Sequence, residues 1–167
     1  MQRVVITCFP DRHFWHGGYD EANAVSSIAM KQARQGHDDF YGAQLYGRVA
    51  YHAFEGITIF PEEKSRMLAS LGDKEVLVLR NHGVAVCGVA VCGGDIAKAF
   101  MMLWTVQRAG ETQCQAGMLP GPNTVLSDAV RQHHADVASR LVQDDAYASK
   151  VFDAAVRKMR AARGLAG

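Results

Sequence analysis

A chain of 167 residues, 49% hydrophobic and 21% charged, can bury roughly two thirds of its unfolded surface, so residues 1–167 read as a single domain. Its 18 basic and 17 acidic residues leave a formal charge of +1, which supplies no net field for nucleic acid or a membrane surface. No stretch approaches the length of a membrane span, and the opening apolar run Val4–Phe9 is too short for a signal peptide. The four cysteines, Cys8, Cys87, Cys92 and Cys114, form no Cys-x-x-Cys, so we expect reduced thiols and a cytoplasmic location.

Arg3–Phe9 reads as a buried strand stopped by Pro10. Asp11–Tyr19 is a loop rich in aromatic residues and contains His13 and His16. Alternate strand residues share a face, so two histidines three apart point to opposite sides of a strand. They can share a metal only in a turn or helical arrangement; otherwise they are two loop residues near Trp15. Asp20–Arg34 has helical character, with Asp20 and Glu21 suited to a helix N-terminus. His37, Asp38 and Asp39 follow in a charged loop, either as cation ligands or as a solvated turn. Phe40 to Phe54 carries five aromatic residues, and Tyr46–His52 enters a strand before a turn at Glu55-Gly56. Tyr46, Tyr51 and Phe54 are expected to be packing groups. Pro61, Glu62 and Glu63 open a short helix and Gly72 closes it, with Met67, Leu68 and Leu71 as its buried side.

Glu75–Gly88 is the stretch around which the rest is arranged: two short aliphatic runs flank Arg80-Asn81-His82-Gly83. That places His82 at a strand-to-strand corner, where the following glycine is expected to take the special turn conformation. An imidazole held between two rigid elements is either a metal or catalytic group or a partner for turn hydrogen bonds. Val84-Ala85-Val86-Cys87-Gly88 is then repeated at once as Val89–Gly93. Five residues are too few for a solenoid repeat, and an odd insertion inverts strand faces. The extra copy is expected as a loop, a bulge or a longer hairpin arm. From about Asp95 a helix carries Ile96, Ala99, Phe100, Leu103 and Val106 at helical spacing and is apolar on its other faces too, the mark of a buried helix. Gly117 and Pro120-Gly121-Pro122-Asn123 end it. Ser127 and Asp128 cap the next helix, whose Val130, His134, Val137 and Leu141 line one stripe. His133 and His134 diverge by about 100° on that helix and so do not converge on one ion. A last helix, Tyr147–Arg163, stacks Val151, Phe152, Ala155 and Met159.

Arg80-Asn81-His82-Gly83 between aliphatic strands, followed by the long helix Ile96–Gln115, resembles the class II aldolase/adducin family. So does Leu45–Ile57, where Arg48-Val49-Ala50-Tyr51-His52 precedes Glu55-Gly56, and this second motif is closer to the adducin-like branch. Matching stretches run from about Ala24 to Ala116. The resemblance implies an α/β domain with a central, mostly antiparallel sheet covered by helices, usually assembled as a homotetramer. Enzymes of the family hold a divalent ion, commonly zinc, by three histidines, two from a His-x-His strand and a third that corresponds to His82. The ion polarises a carbonyl or hydroxyl so that an enediolate is stabilised during carbon–carbon cleavage, epimerisation or decarboxylation.

This sequence departs from that pattern in two ways. His13 and His16 stand three apart where the family has its pair, and only 12 residues precede them, so the N-terminal part of the domain, with its phosphate- or carboxylate-binding turn and acid/base residue, is expected to be missing. No catalytic residue is assigned. Since catalytic zinc takes about three protein ligands, the expected metal set is His82 with His13 and His16, for zinc or another divalent ion. Two functions follow: a metal-dependent lyase acting on a small hydroxy/keto or sugar-derived substrate, or a non-catalytic oligomerisation or interaction module like the adducin head. A homo-oligomer is expected in both.

Overall fold

In a computed structural model of the chain, residues 4–8, 29, 34–56, 61–88 and 96–164 are described. Their elements are β1 (Val4–Cys8), α1 (Phe40–Gln44), β2 (Val49–His52), α2 (Pro61–Leu71), β3 (Val76–Leu79), β4 (Gly83–Gly88), α3 (Ile96–Met118), α4 (Asp128–Gln143) and α5 (Asp145–Ala162). The strands form one sheet in the order β1-β4-β3-β2. Strands β3 and β4 pair antiparallel from Leu79↔Gly83 to Val76↔Val86, and β1 pairs antiparallel with β4 from Val4↔Gly88 to Cys8↔Val84. Strand β2 runs parallel to β3, with Val49↔Val76 and His52↔Leu79 in register. The α/β class is as expected, while the sheet is mixed, because β2 and β3 are joined through α2. A crossover helix returns the chain to the same end of the sheet and so demands parallel pairing.

All four residues of β3 are buried, which is what a strand with neighbours on both edges and helices on both faces requires. The period of two divides them. Val76 and Val78, with Val84 and Val86 of β4, pack against Ala99, Met102, Val106 and Ala109 of α3 and against Leu45. Leu77, Leu79 and Ala85 meet Leu71 and Met67 of α2 on the other face. Fully burying a valine or leucine contributes about 1.5–3 kcal/mol, so these two layers fix the register. Alanines on the buried side of α3 let its backbone come close to the sheet. The buried hydroxyl of Thr105 stays satisfied by donating to the Met101 carbonyl (3.0 Å).

The long helix is apolar and largely buried, as its composition implies, although its first residue, Ile96, is exposed. Helix α2 matches its expected start and stop, with Gly72 at φ +57° just beyond Leu71. Its Leu68 is exposed, however, and Glu63 takes a buried position. Helix α5 seats Ala148 on Ala97 and Met101, with Val151 and Phe152 at the margin; the Phe152 ring lies 5.5 Å from Phe100, edge to face. Its Met159 is exposed rather than stacked. In α4 the buried side is made by Ala135 and Ala138, and the stripe read from the sequence faces outward: Val130 is 51%, Val137 42% and Leu141 50% exposed. Helical spacing reveals a stripe but not whether the same chain covers it. Val84–Gly88 is strand β4, whereas its second copy, Val89–Gly93, lies outside the described residues. The same holds for most of the segment Asp20–Arg34 expected as a helix, of which Ala29 is described as helical and fully buried and Arg34 is not helical.

Candidate functional site

The His82 corner is built from three main-chain bonds. At the end of β3 the Arg80 N–H donates to the His52 carbonyl (2.9 Å), the Asn81 N–H to the Ala29 carbonyl (3.0 Å) and the His82 N–H to the Leu79 carbonyl (3.1 Å). Successive residues of the corner are thus tied to β2, to Ala29 and to β3. The left-handed residue is Asn81, at φ +57°, and not the glycine that the sequence suggested. Gly83 is the first paired residue of β4, opposite Leu79. Asparagine tolerates that conformation better than most residues, so the corner needs no glycine at its apex. His82 is half-buried.

Positive charge gathers beside this corner. The Arg80 guanidinium lies 4.4 Å from the Tyr51 ring centre and that of Arg34 lies 5.7 Å from it, within cation–π range. Tyr51 also accepts, through its hydroxyl, the N–H of buried Gln35 (2.7 Å). Gln113 of α3 fixes the same segment, accepting from Gly36 N–H (2.8 Å) and donating to the Arg34 carbonyl (3.2 Å). The strand carrying Tyr51 and the segment carrying Arg34 are therefore held against one another from both sides.

Of the expected metal ligands, His82 is placed at the corner, while His13 and His16 lie outside the described residues. His37 does not join it in a three-ligand cluster. Its Nδ1 donates to the Gly42 carbonyl (2.9 Å) and its ring packs edge-on against Tyr46. Nor do Asp38 and Asp39 form a cation site: Asp39 caps α1 by accepting from Tyr41 and Gly42 N–H (both 2.9 Å), and Asp38 binds Leu126 N–H and Arg131. His134 donates from Nε2 to the Phe40 carbonyl (3.0 Å) and His133 is exposed. Among the described residues, His82 thus supplies one imidazole without the two further ligands that catalytic zinc takes.

A different trio does converge among the described residues. His52 at the end of β2, Glu55 in the following turn and Glu63 in the first turn of α2 offer ligand atoms that all lie within 4.8 Å of one another. His52 is 5% exposed and sits on the α2 face of the sheet, where Ser70 Oγ is 2.9 Å from its Nδ1. Glu55 Oε1 stands 3.5 Å from Nε2. Arg66 grips Glu55 with Nε and Nη2 and holds its carboxyl below the usual carboxylate range. The sequence reading missed this group because its members come from a strand, a turn and a helix, and Glu63 reads locally as a helix-start charge. The one available signal was the alternation that sends His52 to the same face as Ala50.

Comparison with known proteins sets these features in context. The sequence profile described as "Class II Aldolase and Adducin N-terminal domain" matches residues 12–114. A protein of Pseudomonas aeruginosa that carries an aldolase class 2 name is 46% identical over 96 residues, covering 56% of this chain and 35% of that protein. Alpha-adducin of Rattus norvegicus is 48% identical over 85 residues, 49% of this chain and 11% of adducin. Among solved structures, an aldolase II superfamily protein from Pseudomonas syringae superposes with a TM-score of 0.66 at 24% identity, over 83% of this chain and 53% of that one. An L-fuculose 1-phosphate aldolase from Glaciozyma antarctica gives 0.61 at 13% identity, over 83% and 49%. The chain therefore spans about a third of the bacterial relative and about half of each structural neighbour. At these identities the structural likeness establishes the fold. No helix among the described residues is long and apolar enough to cross a membrane.

Proposed function

Because the chain belongs to the class II aldolase and adducin N-terminal domain family, we propose that it serves as a class II aldolase-type, divalent-metal-dependent lyase in the cytoplasm. Its substrate would be a small hydroxy/keto or sugar-derived molecule, and His82 one of the metal ligands. The observation that carries this reading is the corner itself: three consecutive N–H groups are spent on fixing Arg80, Asn81 and His82. A ligand or catalytic group has to be held to within about half an ångström by its supports, and two of the three bonds reach beyond the turn, to His52 and Ala29. The metal, bound with zinc or manganese chemistry, would polarise a substrate carbonyl or hydroxyl. The chain's own contribution is to aim the imidazole, while the Arg34 and Arg80 guanidinium groups are gathered over the Tyr51 ring of the neighbouring strand. His13 and His16 remain the proposed companions of His82.

The test is turnover. Purified chain assayed for retro-aldol cleavage of small hydroxy-keto and sugar-phosphate compounds should lose about 100-fold or more of kcat/KM in His82→Ala. Outer-shell support of a ligand alone is worth 10–100-fold, and the ligand itself more. A folded His82→Ala chain with unchanged turnover sinks the proposal.

A second reading, a non-catalytic interaction module like the adducin head, is favoured by a separate observation. The α4 stripe of Val130, Val137 and Leu141 is exposed among the described residues, and apolar area of that kind is typical of an association surface. In this reading the fold works as part of a homo-oligomer, a tetramer by analogy with the family, with no chemistry at His82.

A further inference from the structure

We propose that His52, Glu55 and Glu63 form a second divalent-cation site, on the α2 face of the sheet and independent of His82. It goes beyond the lyase reading and does not rest on it.

The first observation is convergence. One imidazole nitrogen and two carboxylate oxygens lie within 4.8 Å of one another; ligands that each sit about 2.0–2.2 Å from one ion stand at most about 4.4 Å apart. Glu55 Oε1 already stands 3.5 Å from Nε2, on a side chain that is partly exposed and so free to adjust.

The second observation is an unsatisfied atom. His52 is 95% buried, and its Nε2 has no hydrogen-bond partner. Glu55 Oε1, at 3.5 Å, is too far for one. Native proteins rarely leave a buried nitrogen in that condition. The other nitrogen is placed as a ligand histidine requires: Nδ1 lies 2.9 Å from Ser70 Oγ, so an Nδ1–H donating to the hydroxyl leaves the Nε2 lone pair facing the carboxylates. Metal-bound histidines are commonly oriented by such a bond on the opposite nitrogen. Glu63 is also buried, so its carboxylate sits beside that nitrogen away from bulk water. A divalent cation would give the Nε2 lone pair the partner it lacks.

The donor set decides the class of ion. One imidazole and two carboxylates without a thiolate suit Zn²⁺ or Mn²⁺ better than a soft ion such as Cu⁺. Arg66 is the competitor, since it grips Glu55 and its charge also acts on Glu63. Its side chain is 53% exposed, so it can swing into solvent when an ion arrives.

Full-length His82→Ala chain, stripped with a chelator and titrated calorimetrically with MnCl₂ and separately with ZnCl₂, should take up one equivalent of at least one of them. Affinity should fall at least about tenfold in Glu63→Gln and in Glu55→Gln, and rise in Arg66→Gln. Glu55→Gln changes a partly exposed side chain and keeps the test available if Glu63→Gln does not fold. In the unsubstituted chain, Mn²⁺ should broaden the ring proton resonances of His52, a readout that needs no variant. No uptake by His82→Ala, uptake undiminished in Glu55→Gln, or His52 resonances untouched by bound Mn²⁺ would each overturn the proposal.

Discussion

Asn81 decides the shape of the corner at the smallest scale. Its φ of +57° is a conformation that costs an ordinary L-residue about 1–2 kcal/mol, because Cβ crowds the following carbonyl oxygen. A β-branched residue suffers most there, and glycine not at all. The side chain is exposed, so little packing is lost on substitution. We therefore expect Asn81→Val to lower stability by about 1–2 kcal/mol and Asn81→Gly to leave it within about 0.5 kcal/mol, both read from urea midpoints. Equal midpoints for the two variants would remove the strain argument. The position of the corner is legible in the sequence, because aliphatic runs on either side of Arg80–Gly83 leave no other place for the chain to turn. Which residue takes the left-handed conformation is not, since asparagine and glycine both can. The His52 trio is invisible for another reason: Glu55 and Glu63 approach each other only once α2 has folded back on β2.

Among the elements, Asp38 ties α4 and the segment before it to the body of the domain. It accepts from Leu126 N–H (2.9 Å) and from Arg131 Nε and Nη2 (3.2 and 2.5 Å). The Arg131 guanidinium, with Leu126 N–H assisting, holds the Asp38 carboxyl below its ordinary value of 3.8. A carboxyl whose pKa is lower in the folded chain stabilises fully above its unfolded value and loses that contribution as pH falls through the folded one. Asp38→Asn should therefore cost about 1–2 kcal/mol at neutral pH, between the values for charge-assisted and for exposed pairs. It should also flatten the fall of thermal midpoint below about pH 4, the region in which an ordinary aspartate takes up its proton. Identical acid profiles for the two chains would show that Arg131 does not hold Asp38 in solution. Charged loop residues 37–39 look solvated or cation-binding in the sequence because Arg131, the partner that claims Asp38, lies 93 residues away. The parallel β2–β3 pair was hidden in the same way: strand propensity gives no direction, and only the α2 crossover supplies it.

For the molecule as a whole, the question is what covers α4. Val130, Val137 and Leu141 continue an exposed apolar series that begins with Met118, Leu119 and Val125. If the interaction reading holds, Val137→Asp should reduce the mass measured by light scattering from that of an oligomer to that of a monomer, since a charge buried in an interface without a partner is strongly disfavoured. An unchanged oligomer would place the contact elsewhere. The α/β class and the family were legible because the residues that carry them, 45–57 and 75–88, are contiguous. The outward turn of the α4 stripe was not, as the same periodicity serves a core-facing helix and an interface.

The claim on which the lyase reading depends is that His82 binds a metal ion. Counting zinc and manganese per chain after native purification tests it most directly, with Glu63→Gln as the common background so that the second site does not mask the result. The account predicts stoichiometric metal in that background and one equivalent fewer when His82→Ala is added. Equal metal content in the two folded proteins would contradict it.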